Sequence, residues 1–371
     1  MTTMVQDLAA RLGAVAVNDN WGVEATALLL EAGRAAGASD IHVICQGDGV
    51  AVLMRCESQL HEVARLPLAR RDLLLGRFKV MAKLPAFVRS EPQDGRIDWK
   101  PAGADHSVTI RAAFLPTIHG ESLNLRFPET TRAPLALGEL GMRADTIGWL
   151  ERLLGTSEGA LVVTGPSGSG KTTTLYACAR WLNEAHRERM HLVTIEDPVE
   201  RDLGFASQVQ VDEAKGVTFA KGLRAALRQD PNALLIGEIR DPETARIAMQ
   251  AGMTGHLVLS SIHAGRSAAV PTRLVSMGVD PFLVAGALSA TLAQRLALRP
   301  EGGRLGVFEL GVMTEAARDL VLARATAEAL SGELMRLCPG SLTSEARRLV
   351  VEGQLTREAA ARMLGMEEWD Q

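Results

Sequence analysis

The pattern of apolar and polar residues predicts two blocks of different strand character. In the first block, residues 21–36 carry apolar side chains at helical spacing and end at Gly37, which predicts an amphipathic helix. A second helix is predicted over 73–84. Short strands are predicted over residues 41–44, 50–55, 96–99 and 107–114. Alternating helices and short strands are typical of a small α+β domain.

The second block contains continuous apolar runs, which are typical of a parallel sheet covered on both faces. These runs cover residues 161–164, 191–195, 233–236 and 257–262. A longer window over 281–298 is interrupted by Gln294 and Arg295 and falls short of the roughly 20 apolar residues of a membrane span. It predicts a buried or amphipathic helix. From about residue 300 the chain is predicted to be mostly helical.

These patterns predict five segments along the chain. A flexible arm (1–20) precedes an N-terminal α+β domain (21–127), and a linker rich in Pro and Thr near its start (128–140) follows. An α/β domain (141–300) and a helical C-terminal region (301–371) complete the chain.

Composition narrows the class of protein. Lys and Arg total 40 against 44 Asp and Glu, a net charge of −4, so the whole chain has no general attraction for nucleic acid or anionic lipid. The four cysteines are scattered without a Cys-x-x-Cys pair, which favours reduced thiols over a disulfide framework or a zinc site. The first ten residues lack the basic start and apolar stretch of a signal peptide, so we expect a soluble, cytoplasmic protein.

The strongest motif is Gly-Pro-Ser-Gly-Ser-Gly-Lys-Thr at residues 165–172, which fits the phosphate-loop pattern G-x-x-x-x-G-K-[ST]. An apolar strand precedes it and a helical run follows it, as that motif requires, and this context disfavours an ordinary Gly/Ser turn. Glycines let backbone N–H groups surround an anion, and the helix N-terminus attracts negative charge. Lys171 is the expected ligand of the β- and γ-phosphates, and Thr172 of Mg²⁺. The predicted nucleotide-binding residues are Gly165, Ser167, Gly168, Ser169, Gly170, Lys171, Thr172 and Thr173. ATP is favoured over GTP because the chain lacks an Asn-Lys-x-Asp sequence.

Carboxylates follow two of the predicted strands, at the sheet edge where ligands bind in open parallel sheets. Glu238 is predicted to position or deprotonate the attacking water. Gly237 occupies the place of the usual metal-binding aspartate, so Glu196 or Asp197 is the candidate that holds Mg²⁺, directly or through water. For Asp197 the alternative is helix capping ahead of Pro198.

Two histidines bracket the last apolar strand. His263 leaves the strand at the expected phosphate edge and is a candidate for sensing phosphate or orienting water. His256 precedes the same strand and is a less favoured candidate for that role. The alternative for either residue is an ordinary hydrogen-bonding surface histidine.

At this point the chain resembles the ATPases of type II secretion and type IV pilus assembly. Residues 165–176 resemble their Walker A segment, residues 194–200 their Asp box, residues 227–245 their Walker B region and residues 254–263 their His box. Gln294-Arg-Leu resembles the family's following helix. Residues 38–42 and 92–97 match the pattern of the family's first domain, as does the segment from Arg111 to Arg126.

The resemblance implies a hexameric ring of subunits, each with a small N-terminal domain and a RecA-like P-loop ATPase domain that uses ATP and Mg²⁺. It implies that Arg111 and Arg126 reach the nucleotide as arginine fingers, with catalytic roles beside Glu238, Glu196 and His263. Without the resemblance, two strand arginines are more often surface ion pairs. The partner implied is a polytopic inner-membrane platform protein, with the ATPase peripherally associated with that membrane.

The chain departs from the family pattern in places. Residues 264–266 read Ala-Gly-Arg after His263, where the family usually continues Thr-Asn, and the segment 298–306 lacks the four-cysteine module, so no zinc is expected in this short form. A pilus-retraction motor or a DNA-transfer ATPase of related fold stays open as an alternative. A non-catalytic nucleotide-binding scaffold and a nucleic-acid helicase are less favoured, and no specific nucleic acid is expected.

Overall fold

The computed structural model describes residues 8, 10–12, 20–56, 59–103, 107–127, 134–186 and 189–366. The chain divides into two compact units, residues 1–131 and 132–371. Most of the predicted arm, and residues 128–133 of the predicted linker, lie outside the described residues. Leu8 and Leu12, which belong to the predicted arm, are buried in the core of the first unit.

The first unit contains an antiparallel sheet of six strands in the order β3-β2-β1-β6-β5-β4, and two helices lie wholly within its described residues. The strands are β1 (Asp40–Gln46), β2 (Gly49–Cys56), β3 (Gln59–Leu66), β4 (Gln93–Trp99), β5 (Val108–Thr117) and β6 (Gly120–Arg126). The helices are α1 (Trp21–Ala35) and α2 (Arg71–Met81). Buried residues of both helices, among them Trp21 and Phe78, join the inward-facing strand residues in one core. This arrangement confirms an α+β domain, with β3 and β6 as strands that were not predicted.

A buried ion pair lies within this first unit. The side chains of Lys79 on α2 and Glu121 on β6 are 1% and 6% exposed, and their charged atoms are 2.5 Å apart. Lys79 also donates a hydrogen bond to the carbonyl of Val88. The pair therefore links the helix, the sheet and the loop that follows the helix.

The second unit is built on a seven-stranded sheet in the order β13-β12-β7-β11-β10-β8-β9. The strands are β7 (Gly159–Thr164), β8 (Leu192–Glu196), β9 (Ser207–Gln210), β10 (Ala233–Ile236), β11 (Leu257–Ile262), β12 (Leu288–Leu298) and β13 (Arg304–Val312). Only β13 runs antiparallel to its neighbour. Strands β7, β10 and β11 are buried along their whole length, as their continuous apolar runs predict.

Ten helices are described in the second unit, and they complete an α/β fold. They are α3 (Ala144–Leu154), α4 (Lys171–His186), α5 (Phe219–Ala226), α6 (Pro242–Met253), α7 (Ala269–Ser276), α8 (Pro281–Ala287), α9 (Glu315–Leu322), α10 (Ala327–Leu334), α11 (Leu342–Val351) and α12 (Arg357–Leu364). Each of the last four begins at a Ser or Thr whose hydroxyl accepts a backbone N–H of the first turn. No helix in the described ranges is long and apolar enough to cross a membrane.

The helix predicted over 281–298 is wrong beyond Ala287. Helix α8 ends there and β12 follows, so Gln294-Arg-Leu lies on a strand and not on a helix. Strand β12 lies between β7 and β13 and is buried along most of its length, and a buried apolar run cannot be assigned to helix or strand by periodicity alone. Strand β13 extends the sheet to Val312, so the helical C-terminal part begins at Glu315.

A buried carboxylate connects the sheet to this helical part. Glu309 on β13 is 4% exposed. One of its oxygens accepts the backbone N–H of Ser267 at 3.0 Å and the Ser267 hydroxyl at 2.5 Å. The other accepts the N–H of Leu342, the first residue of α11, at 3.2 Å. The loop after β11 and the start of α11 thus share one side chain.

Candidate nucleotide-binding site

The phosphate loop, residues 165–172, leaves the end of β7 and enters α4, in the strand–loop–helix order that the motif requires. Gly168 and Gly170 have φ of +74° and +85°, a region that glycine adopts without strain. A Cβ on Gly165 would lie 2.4 Å from the backbone oxygen of Gln294 on β12. Local conformation at two positions and close packing at a third therefore require glycine.

The polar groups of the loop converge on its centre. Lys171 Nζ donates to the carbonyls of Gly165 and Pro166, both at 3.1 Å. Burial lowers the pKa of Lys171, while the negative charge of Glu238 acts in the opposite direction. The buried Ser169 hydroxyl has no hydrogen-bond partner in the described part of the chain. Thr172 and Thr173 lie half-buried in the first turn of α4. A half-buried ammonium, an unpartnered hydroxyl and a helix N-terminus within one loop fit a polyphosphate.

Glu238 and Asp197 are joined by an arginine that the sequence did not single out. Arg240 Nε donates to Glu238 at 2.6 Å, and its NH1 group donates to Asp197 at 3.0 Å. Glu238 follows β10 and Asp197 follows β8, and these strands are parallel neighbours. The two predicted carboxylates therefore share one sheet edge, and Arg240 holds them there.

Glu196 has a different environment. Its carboxylate is buried, at 2% exposed, and one oxygen accepts the hydroxyl of Tyr176 on α4. The other accepts the Thr194 hydroxyl at 2.5 Å and the Gln208 amide at 3.0 Å. Both oxygens are thus engaged by protein donors, and the role of Glu196 toward Mg²⁺ stays a prediction.

Asp197 itself is exposed at the end of β8. Residues 197–206 form no helix, so the interpretation of Asp197 as a helix cap is wrong. The Asp197 carboxylate therefore lies at the sheet edge, where it accepts a hydrogen bond from Arg240.

Gly237 stands where the usual metal-binding aspartate would be. A Cβ on Gly237 would lie 3.8 Å from Cγ of Glu196, so Glu196 adjoins the place of the missing side chain. The described residues contain no group of three or more His, Cys, Asp or Glu that could hold a metal ion by itself. Mg²⁺ that arrives with a nucleotide needs few protein ligands, because phosphate oxygens and water complete its shell. Thr172 and Asp197, which follow β7 and β8 at the same sheet edge, are the residues that would supply those few ligands.

The two histidines lie at opposite ends of β11. His263 follows the strand on the phosphate-loop side, since β11 and β7 are parallel and paired from Leu257 to Ile262. It is exposed and lines an open cleft of about 780 Å³ together with Pro166 and Arg295. His256 precedes β11, about 23 Å away at 3.3 Å per residue. Only His263 thus lies at the phosphate edge.

Four residues that complete this site were missed as functional residues: Tyr176, Arg240, Gln294 and Arg295. The Thr164 hydroxyl, at the end of β7, accepts the N–H of Ala264 at 2.8 Å and donates to Ile262. Arg295 donates to the carbonyl of Gly265 at 2.7 Å. The phosphate loop and the loop after His263 are therefore tied to neighbouring strands. Two polar residues inside an otherwise apolar window were the available signal for Gln294 and Arg295.

Arg111 and Arg126 lie in the first unit, directly opposite each other on β5 and β6. Both residues are exposed. Arg126 Nε donates to Asp40 Oδ1 at 2.9 Å. Arg96 on β4 is the cross-strand neighbour of Arg111 on its other side. A role of these arginines toward the nucleotide stays a prediction.

Comparisons with known proteins find a matching family. The family model described as "Type II/IV secretion system protein" matches residues 24–301. The type II secretion system ATPase E of Vibrio cholerae is 43% identical over 260 residues, which cover 70% of this chain and 51% of that protein. The type II secretion system protein HxcR of Pseudomonas aeruginosa is 38% identical over 361 residues, covering 91% and 76%. The chain thus spans about half the length of the Vibrio relative.

Among solved structures, the ATPase DotB of Legionella pneumophila superimposes with a TM-score of 0.74 at 21% identity, covering 92% of this chain and 95% of that one. At that identity the likeness shows the fold. It confirms an α/β P-loop architecture with a smaller N-terminal domain.

Proposed function

The chain belongs to the type II/IV secretion system protein family, and from that premise and the phosphate-loop geometry we propose that it is an ATP-hydrolysing motor. Its work would be assembly of a type IV pilus or a type II secretion pseudopilus. The observation that carries the proposal is the phosphate loop between β7 and α4, with Lys171 bound to its carbonyls and Glu238 following β10 at the same sheet edge.

The residues divide the chemistry among them. The backbone of the phosphate loop and Lys171 hold the β- and γ-phosphates of ATP. Glu238 orients the attacking water or accepts its proton, and Arg240 fixes the direction of that carboxylate. Thr172 would hold Mg²⁺, which would neutralise phosphate charge when bound.

Two residues, Asp197 and Glu196, are candidates for the carboxylate that holds the metal. Asp197 is exposed and would hold the metal, directly or through water. Glu196, with both oxygens engaged, anchors α4 to β8 and would contribute to the metal only if its bonds to Tyr176, Thr194 and Gln208 open. His263, beside the phosphate loop, orients water or senses the γ-phosphate.

The proposal extends to assembly. ATP hydrolysis needs positive charge beside the transferred phosphoryl group in the transition state. Arginine fingers supply that charge and accelerate hydrolysis by about 10³–10⁵-fold. Arg111 and Arg126 supply it within a homo-oligomeric ring, a hexamer by family resemblance. The ring works in the cytoplasm and associates peripherally with the inner membrane through a polytopic platform protein.

The test is steady-state ATP hydrolysis by the purified chain across protein concentration. We expect turnover that rises with self-association, collapses in Lys171→Ala and in Glu238→Gln, and falls steeply in Arg111→Ala and Arg126→Ala. Lys215→Ala is the matched control, because that lysine is 80% exposed and pairs only with nearby Asp212 in the described structure. A ring that binds Mg²⁺-ATP but never turns it over, even with membranes present, would favour a scaffold. Turnover stimulated by DNA would favour a helicase or a DNA-transfer ATPase.

The direction of work needs a cellular assay. Loss of pilus or pseudopilus fibres on deletion of the gene supports assembly. An excess of fibres would show a retraction motor instead.

A further inference from the structure

Gln294 on β12 is a buried glutamine that contacts the phosphate loop and the helix after it. It is 2% exposed. Its Nε2 donates to the carbonyl of Ser169 at 2.5 Å, and its Oε1 accepts the hydroxyl of Thr174 at 2.8 Å. Thr174 lies in the first turn of α4 and is 1% exposed. One amide therefore bridges the last part of the loop and the beginning of the helix.

The chemistry of these partners requires an amide. A backbone carbonyl only accepts, so the atom facing Ser169 must be a donor, and the opposite atom is then the acceptor for the Thr174 hydroxyl. A neutral side chain of this length that offers both is glutamine. An ionised glutamate would set two acceptors against each other at the Ser169 carbonyl, and a methionine would leave both partners buried without a bond.

Gln294 also explains two of the loop glycines. A Cβ on Gly165 would lie 2.4 Å from the Gln294 backbone oxygen, and a Cβ on Gly170 would lie 3.0 Å from its Nε2. Gln294 thus fits closely against the loop at both ends. The loop cannot shift toward β12, and its Ser169 carbonyl is fixed by the hydrogen bond from Gln294.

We propose that Gln294 is a positioning residue that holds the phosphate loop in its anion-binding form, an inference that rests on the proposed function. The loop contacts phosphates in the ground state and in the transition state alike. Loss of Gln294 should therefore weaken nucleotide binding without changing the chemical step. Glu238 would behave in the opposite way, since its contribution belongs to the chemical step.

The experiment measures the Kd for Mg²⁺-ADP by calorimetry, together with KM and kcat for ATP, in the full chain. In Gln294→Met we expect Kd and KM to rise about ten-fold, because two buried hydrogen bonds are lost, with kcat changed less than about two-fold. Thr291→Val is the matched control: this buried hydroxyl is on the same strand and has no hydrogen-bond partner in the described part of the chain. It should bind ADP as the parent chain does.

Two further variants distinguish loss of the Gln294 hydrogen bonds from misfolding of the chain. Thr174→Val removes only one of the two bonds and should raise Kd by a smaller factor than Gln294→Met. In Gln294→Glu the introduced carboxyl donates to the Ser169 carbonyl only when protonated. The Kd of Gln294→Glu should therefore fall toward that of the parent chain as pH is lowered from about 9 to about 6. A buried carboxyl group titrates in about this range because burial raises its pKa. Gln294→Met should show no such pH dependence.

The outcomes separate this inference from the proposed function. Unchanged Kd and KM in Gln294→Met, or a loss of kcat alone, would overturn the positioning role while leaving an ATPase. If the parent chain binds ADP but never hydrolyses ATP, the Kd comparison still decides the role of Gln294. A parent chain that does not bind ADP would overturn both.

Discussion

Tyr176 offers a direct test of how the site is held together, because it is the only tyrosine in the sequence. Its hydroxyl donates to Glu196 across the gap between α4 and β8. Burial, and then the adjacent carboxylate, raise the pKa of the Tyr176 phenol well above its ordinary value. In the folded chain the phenol should therefore keep its proton at pH values where an unfolded tyrosine, with a pKa of about 10, ionises.

The magnitude follows from the structure. Hydrogen bonds to charged groups contribute about 1.5–3 kcal/mol, and with Glu196 at 2% exposed we expect Tyr176→Phe to cost about 2–3 kcal/mol at neutral pH. Because the folded-state pKa is raised, this stability is complete below about pH 10. It is lost as pH rises further, by about 1.4 kcal/mol per pH unit, since the unfolded chain then binds fewer protons. The buried thiols, whose pKa burial also raises, contribute alkaline loss of their own, so Tyr176→Phe should make the loss smaller by the Tyr176 contribution alone.

Near-ultraviolet absorbance of tyrosinate measures the titration of this one residue, and urea unfolding at several pH values measures the stability. Tyr176→Leu, compared with Tyr176→Phe, separates loss of the aromatic ring from loss of the hydroxyl that Glu196 accepts. A phenol that ionises near pH 10 while the chain stays folded would refute the reasoning. So would a cost of Tyr176→Phe below about 0.5 kcal/mol.

Two further predictions concern other pairs. Lys79→Met should lower the free energy of unfolding by about 3–5 kcal/mol, because it leaves Glu121 buried without its counter-charge, and a second change, Glu121→Leu, should restore much of it; urea unfolding of the single and double variants measures both. Arg240→Gln should change stability by less than about 1 kcal/mol, since its side chain is 54% exposed, but should lower kcat about ten-fold because Glu238 and Asp197 lose the group that orients them. An unchanged kcat in that variant would contradict the orienting role.

The parts of the fold that sequence predicted best are local or fully buried. The strand, loop and helix around residues 161–182 could be recognised because glycines, lysine and apolar run are contiguous. Strand β12 was taken for a helix because a buried strand has no polar face to reveal its period. The short edge strand β9 pairs only with β8 and has no apolar pattern of its own, so its pairing becomes visible only in the folded sheet.

The same distinction holds for the site. Glu238 and His263 could be predicted from the sequence because each follows an apolar strand, and parallel strands bring their carboxyl ends to one edge of the sheet. Tyr176 and Gln294 were not, because their bonds join residues 20 and 120 positions apart in the chain. Those contacts depend on the order of strands in the sheet, which no local pattern contains. Arg240 was within a recognised motif, but its partners Glu238 and Asp197 meet only because β8 and β10 are neighbours.

Glu309 connects the helical C-terminal part to the loop that follows His263, because its carboxylate accepts hydrogen bonds from both. A chain that ended before Leu342 would remove the backbone donor of one Glu309 oxygen and expose the other side of the same anion to solvent. The bonds to Ser267 would then compete with water. A displacement of α11 would therefore reach the loop after His263 through Glu309, as a displacement of α10 would through the ion pair of Arg266 with Glu328.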